Sequence, residues 1–246
     1  MPVSEVYNIS NRTYIKTITE GFFNLVCDDP PYFEGPNKRL YYGNEVNKLK
    51  IRRRDYQIIQ KWKPPTRGYF QSIIKISQNQ IIFGCNYFKF QFGPGRIIWD
   101  KCNFDSSFSD CEEAYCSLHS SVRLFRFMWN GMMQGKSVTE GHIQQGNKAK
   151  NEKKIHPTQK PVALYSWIFS KYAKPGDKVF DPHVGSGSSR IAAWDAGLDY
   201  YGCELDAETF NLQEERFKNH IAQQTLFSQT PSIKQPQLIT NGILAL

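Results

Sequence analysis

Short apolar runs alternate along this chain with longer stretches of helical spacing. Residues 22–27, 80–85 and 96–99 are apolar enough for buried strands, and 178–180 and 200–203 repeat the pattern late in the chain. Residues 114–119 and 122–129 read as two further strands joined in a hairpin. Between the runs, apolar positions recur at helical spacing over 66–79, 160–173, 186–196 and 206–222. Pro161 falls near the start of its segment, where a helix tolerates proline. Strands alternating with helices predict an α/β fold with a mostly parallel, doubly wound sheet, and the hairpin adds an antiparallel edge.

Three stretches stand outside this pattern. Residues 48–67 carry Lys48, Lys50, Arg52, Arg53, Arg54, Lys61, Lys63 and Arg67 against one acid, Asp55. Residues 131–154 are rich in Gly, Gln and Lys and poor in apolar side chains, a length of loop that inside a domain is functional or disordered. The tail, 224–246, is polar with Pro231 and Pro236 and turns apolar from Leu238; it has no assignment.

Composition narrows the field. The chain has 246 residues, 40% of them hydrophobic and 14% aromatic, enough for one α/β domain with a sizeable core. Its formal charge of +8 favours a polyanionic partner, with nucleic acid first. There is no long apolar run for a membrane span, and residues 1–11 lack the apolar core of a signal peptide, so the expected location is the cytoplasm. Six cysteines form no CxxC pair and read as reduced thiols. A zinc site from Cys102, Cys111 and Cys116 fits no common spacing, and no metal is expected.

Three motifs carry the chemistry. The first, Asp29-Pro30-Pro31-Tyr32, follows a strand, where open α/β sheets bind ligands. An aromatic amino nitrogen is a poor nucleophile because its lone pair is delocalised into the ring. The Asp29 carboxylate and the Pro30 carbonyl can each accept one of its hydrogens and return density to that lone pair. Prolines fix the carbonyl direction, and Tyr32 offers a face on which an extruded base can stack. A plain strand-to-loop turn explains the same four residues.

The second motif, Asp181-Pro182-His183-Val184-Gly185-Ser186-Gly187-Ser188-Ser189, lies between an apolar strand and a helix. Glycines admit a ligand close to the backbone, and a helix N-terminus offers free N–H groups. Glu204 stands 23 residues after Asp181 at the end of the next strand, where an acid can hold ribose hydroxyls. Arg190 breaks a full GxGxxG, which disfavours a dinucleotide and suits an adenosine ligand without pyrophosphate. The third motif is His156-Pro157-Thr158-Gln159-Lys160-Pro161. Thr158 is placed to cap the following helix, and His156 and Lys160 to face a cofactor.

In this order the three motifs, with Gly202-Cys203-Glu204-Leu205-Asp206, resemble the β-group of DNA amino-methyltransferases across roughly residues 6–217. The resemblance implies a Rossmann-like sheet and S-adenosylmethionine held by Asp181, His183, Gly185, Ser186, Gly187, Ser188, Glu204 and the segment with His156, Thr158 and Lys160. It also implies base flipping, with Asp29, Pro30, Pro31 and Tyr32 as the catalytic set. An Asp in first place marks adenine-N6 enzymes of that group and a Ser marks cytosine-N4 enzymes. His183 departs from the group's bulky residue, and either covers the cofactor or packs. The target-reading region is reduced to 131–154, which shifts part of that work to the basic insertion 33–67.

The expectation is one methyltransferase domain over 1–246 acting on double-stranded DNA, with phosphates met by Arg52, Arg53, Arg54, Lys61 and Arg67. The rivals are a cytosine-N4 enzyme, an RNA adenine methyltransferase, a protein-glutamine methyltransferase, which Asp29 disfavours, and a non-catalytic binding module on the same fold. Nothing in the sequence separates a monomer from a homodimer or reveals a restriction partner.

Overall fold

The computed structural model describes residues 1–32, 63–103, 109–130 and 133–228, the last four as backbone only. Among the described residues, ten strands and five α-helices fall in this chain order: β1 (Ser4–Tyr7), α1 (Asn11–Ile15), β2 (Phe23–Asp28), α2 (Arg67–Ile76), β3 (Ser77–Phe83), β4 (Arg96–Asp100), β5 (Cys111–Cys116), β6 (Val122–Arg126), β7 (Trp129–Asn130), β8 (Met133–Gln134), α3 (Val162–Tyr172), β9 (Lys178–Asp181), α4 (Ser188–Asp195), β10 (Asp199–Cys203) and α5 (Ala207–Ser228). Eight strands form one sheet in the order β1-β10-β9-β2-β3-β5-β4-β6, and β7 and β8 make a separate small ribbon.

The α/β class expected from the alternating pattern is the one observed. The strands β1, β10, β9, β2 and β3 are all parallel neighbours. The apolar runs at their centre are continuous because both faces are covered. On one face Leu25, Cys27, Ile81 and Phe83 meet Leu164, Ile168 and Phe169 of α3 and Ala192 of α4. On the other, Val26, Ile82 and Phe180 meet Phe70, Ile73 and Ile76 of α2. Helix α2 buries Tyr69, Phe70, Ile73 and Ile76, one stripe at helical spacing.

Two details differ from the sequence reading. The antiparallel edge is built from other partners: β5 runs antiparallel to both β3 and β4, and β6 pairs in parallel with β4. Residues 114–119 and 122–129 therefore do not form a hairpin with each other. The chain instead crosses over β4, anchored by Arg96 N–H donating to Ser121 O at 3.0 Å and Cys116 N–H donating to Gly95 O at 3.1 Å. Period-two alternation assigns a face to each side chain but carries no information about the neighbouring strand. The helix expected over 66–79 ends at Ile76, and β3 starts at the next residue. There Ser77 donates its hydroxyl hydrogen to Ile73 O at 2.6 Å, satisfying a carbonyl of the last turn. The short β1 and α1 carry too little apolar signal to have been read from the sequence.

Because β2, β3, β4, β9 and β10 share one direction, their carboxyl ends lie along one edge of the sheet, and β5, running the other way, starts there. Asp29, Gly84, Lys101, the loop after Asp181, Glu204 and Glu112 thus come to the same edge. No helix among the described residues is long and apolar enough to cross a membrane.

Candidate active site

At the end of β2 two adjacent acids diverge. Asp28 is fully buried and takes a hydrogen bond from Tyr69 at 2.8 Å on Oδ2; its Oδ1 lies 2.7 Å from His183 Nδ1. His183 Nε2 lies 2.8 Å from the amide nitrogen of Asn11, which also donates to Pro182 O at 3.1 Å. Burial presses the His183 imidazole toward its neutral form, and the Asp28 carboxylate outweighs it, so the pKa rises. His183 resolves as a strut: it ties the strand before Asp29 to the glycine loop.

Asp29 points the other way, into a cluster of opposite charge. Its Oδ1 accepts from Lys160 Nζ at 2.6 Å and from the Tyr32 hydroxyl at 2.7 Å. Lys160 also meets Glu112 Oε2 at 2.9 Å and the Tyr32 oxygen at 3.0 Å. Glu112 in turn binds Lys101 at 2.5 Å. Burial raises the Asp29 carboxyl above its ordinary range against the pull of Lys160. Burial pushes Glu112 the same way, but Lys160 and Lys101 win and hold it down at about 2. Lys160 stays protonated, since two carboxylates outweigh its burial.

Tyr32 leans on Gly84, a residue with φ +64° on which a Cβ would stand 2.2 Å from the Tyr32 ring. No other residue type fits there without moving Tyr32. The exposed Tyr87 stacks parallel on Tyr32 with ring centroids 5.1 Å apart, 9° from coplanar. Both line a cavity of about 180 Å³ with Gly84, Asn86, Glu112 and Glu113.

The glycine loop lies between β9 and α4. Gly185 and Gly187 have φ of +52° and +74°, and a Cβ on Gly185 would meet nothing nearer than 3.9 Å, so the loop is open on that side. Glu204, at the end of β10, accepts from Gly185 N–H and from Asp206 N–H, both at 2.9 Å. An open glycine turn at a helix start beside a carboxylate with spare lone pairs fits a nucleoside with free ribose hydroxyls. Asp181 is 1% exposed, and its oxygens accept from Ser189, Tyr200 and the His183 N–H. Burial pushes its carboxyl up to about 7.

Residues 128–215 match the DNA methylase family model for N6 and N4 methyltransferases. The chain is similar to the type II methyltransferase M.HinfI of Haemophilus influenzae, 25% identical over 236 residues that cover 83% of this chain and 65% of that protein. It therefore spans about two thirds of M.HinfI. It is similar also to the type II methyltransferase M2.MboI of Moraxella bovis, 26% identical over 243 residues and 86% of each chain. Residues 128–215 thus carry the N6/N4 DNA methylase pattern, and the similarity to the type II methyltransferases extends it over most of the chain. Among solved structures, the complex of M1.HpyAVI with SAM shares the fold, with a TM-score of 0.51 at 18% identity over 86% of this chain and 98% of that one.

Two of the three motifs stay together in space. Asp29, Pro30, Pro31 and Tyr32 gather at the end of β2, and Gly185, Ser186, Gly187, Ser188 and Glu204 gather around the glycine loop. His156 is half-buried, and burial lowers its pKa to about 4 despite Asp206, so it is neutral at pH 7. Thr158 does not cap α3: its hydroxyl lies 3.2 Å from His156 Nδ1, and the helix starts after Pro161. Glu152 supplies that cap by accepting from Val162 N–H at 3.0 Å. Lys160 and Asp181, expected to face the cofactor, have their polar atoms engaged inside the protein. Of the basic candidates, Arg67 sits exposed at the start of α2, whereas Arg52, Arg53, Arg54 and Lys61 lie outside the described residues.

Several site residues had no signal in the sequence. Glu112 is an acid in a strand whose neighbours alternate normally, and nothing local pairs it with a lysine 48 positions later. Glu152 lies in the loop 131–154, yet it binds Gln159 at 2.8 Å and Arg216 of α5 at 2.6 Å. Arg216 donates to Ser186 O at 2.7 Å, so that loop is fastened to the glycine loop.

Proposed function

We propose that this chain is an S-adenosylmethionine-dependent DNA methyltransferase that modifies the N6 amino group of adenine after the base has left the helix. The observation that carries the reading is the 2.7 Å contact of Asp28 with His183, which makes the Asp29 corner contiguous with the glycine loop. Methyl acceptor and methyl donor can then share one cleft, with their reacting atoms held in line by the protein.

The glycine loop, Glu204 and the neutral His156 are the residues suited to hold the cofactor. When bound, S-adenosylmethionine supplies an activated methyl group on a sulfonium. Asp29 Oδ2 and the Pro30 carbonyl accept the two amino hydrogens, which sharpens the nitrogen lone pair as a nucleophile. Tyr32 gives the flipped base a stacking face. Asp29 then stands at the nitrogen that must lose a proton once it carries the methyl group. Arg67 and the basic residues 52–54 and 61 meet DNA phosphates with salt-sensitive affinity.

The family also contains N4 methyltransferases, and cytosine presents the same kind of amino group. Asp29 in first place of its motif favours adenine. The test is incubation with tritiated S-adenosylmethionine and unmethylated genomic DNA, then digestion to nucleosides. Label in N6-methyladenine is expected; label in N4-methylcytosine overturns the base assignment, and no label in DNA overturns the function. Asp29→Ala should bind cofactor as the parent does and lose at least a hundredfold in transfer, on the order of a lost acid–base group.

A further inference from the structure

The resemblance assigns Lys160 to the cofactor, and its contacts assign it elsewhere. An ammonium has three hydrogens, and the three acceptors around Lys160 Nζ are Asp29 Oδ1 at 2.6 Å, Glu112 Oε2 at 2.9 Å and the Tyr32 oxygen at 3.0 Å. The side chain is 4% exposed, so no hydrogen is left for a ligand carboxylate. The same contacts distinguish the two oxygens of Asp29. Oδ1 takes a hydrogen from Lys160 and one from Tyr32, which uses both its lone pairs; Oδ2 accepts no hydrogen bond among the described residues.

We propose that Lys160 and Glu112 are positioning residues for Asp29: Lys160, braced by Glu112, fixes Oδ1 and leaves Oδ2 turned to the substrate amino group. The inference rests on the methyltransferase reading above. A carboxylate that could rotate would present Oδ2 to the amino hydrogen only part of the time. Two donors on one oxygen remove that rotation before substrate arrives. Glu112 is needed because a lysine with one carboxylate would have hydrogens left to draw Asp29 out of line. Lys101 completes the balance, so two carboxylates face two ammonium groups in the corner.

Among the described residues, the groups that face Asp29 are Lys160 before α3, Glu112 on β5 and Tyr32 in its own loop, with Tyr165 of α3 and Cys27 of β2 also within electrostatic reach. Removing the cation leaves burial and Glu112 unopposed, so Asp29 holds its proton to higher pH. Removing Glu112 leaves Lys160 unopposed, so Asp29 loses its proton at lower pH. The carboxylate is the working form. The acid limb of kcat/KM should therefore rise in Lys160→Met and fall in Glu112→Gln, by roughly 1 to 3 in pH for a charge this close.

The experiment measures S-adenosylmethionine affinity, kcat and the pH profile for both single variants, for Lys160→Arg and for the double variant K160M/E112Q. That double variant removes the pair together, so it serves where Lys160→Met alone fails to fold. Lys160→Met and the double variant should lose about a hundredfold in kcat with cofactor Kd unchanged, and Lys160→Arg should recover part of the loss. A raised cofactor Kd with kcat retained would overturn the proposal, as would acid limbs that coincide with the parent's or move in the same direction. The Asp29 carboxyl is followed in parallel by 13C NMR titration. Opposite shifts there support the positioning role even where the parent transfers no methyl to DNA, an outcome that defeats the functional reading alone; coincident titrations defeat the positioning role.

Discussion

Asp181 in the glycine loop and Glu112 in the Asp29 corner are acids at the same edge of one sheet, and their surroundings drive them in opposite directions. Asp181 is compensated chiefly by hydrogen bonds from Ser189, Tyr200 and a backbone N–H, with a smaller pull from His183, and burial lifts it to about 7. Glu112 meets two ammonium groups, and they hold it at about 2 although burial works the other way. Neutral donors stabilise a carboxylate less than a full opposite charge does once water is excluded. The glycine-loop acid Asp181 is therefore sensitive to pH near neutrality, and Glu112 only in strong acid.

The largest test of that contrast is Asp181→Ala. It leaves two buried hydroxyls and an N–H without their acceptor and should cost about 3 kcal/mol in chemical denaturation. Asp181→Asn keeps an acceptor and should cost far less; an equal loss in both would mean that Asp181 works through its charge.

Next is the pH course of stability in the parent protein. Asp181 has a folded pKa of about 7 against an ordinary 3.8. Through that window the unfolded chain releases the proton first. Stability should therefore fall as pH rises from about 4 to about 7, by up to ~1.4 kcal/mol per pH unit. Glu112 has the opposite sign, with about 2 folded against 4.5. Its contribution is present above 4.5 and is lost as pH falls toward 2. Asp181→Asn should flatten the upper limb and Glu112→Gln the lower; flattening of both limbs by either variant would break the separation.

A smaller change is Ser189→Ala, which removes a 2.5 Å hydrogen bond to Asp181 Oδ2. It should cost about 1 kcal/mol near neutral pH and move the upper limb to higher pH. Arg67→Ala, exposed on α2, should leave both limbs in place, change stability by less than ~0.5 kcal/mol and reduce the salt slope of DNA binding by about one.

Much of this arrangement was legible along the chain. The central strands are apolar runs because both faces are covered, and α2 and α3 beside them each show a buried stripe. The glycine loop, Glu204 and Asp29-Pro30-Pro31-Tyr32 stood out for a different reason: each is a local segment, and the parallel strands bring all three to one edge of the sheet. The β5 insertion was not legible, because a strand's pattern specifies its faces and leaves its neighbours open. Thr158 looked like a cap by residue type, yet Glu152, ten residues before Val162, supplies the acceptor.

The sequence by itself determined the α/β class, the edge of the sheet where the motifs lie and the kind of chemistry they suit, since these follow from short-range periodicity and contiguous motifs. Only the tertiary structure decided the charge arrangement of that edge: His183 against Asp28, Lys160 between Asp29 and Glu112, and Arg216 between Glu152 and the glycine loop. Each of these contacts joins residues dozens of positions apart, and an ion pair is fixed by distance in space, which sequence spacing does not encode.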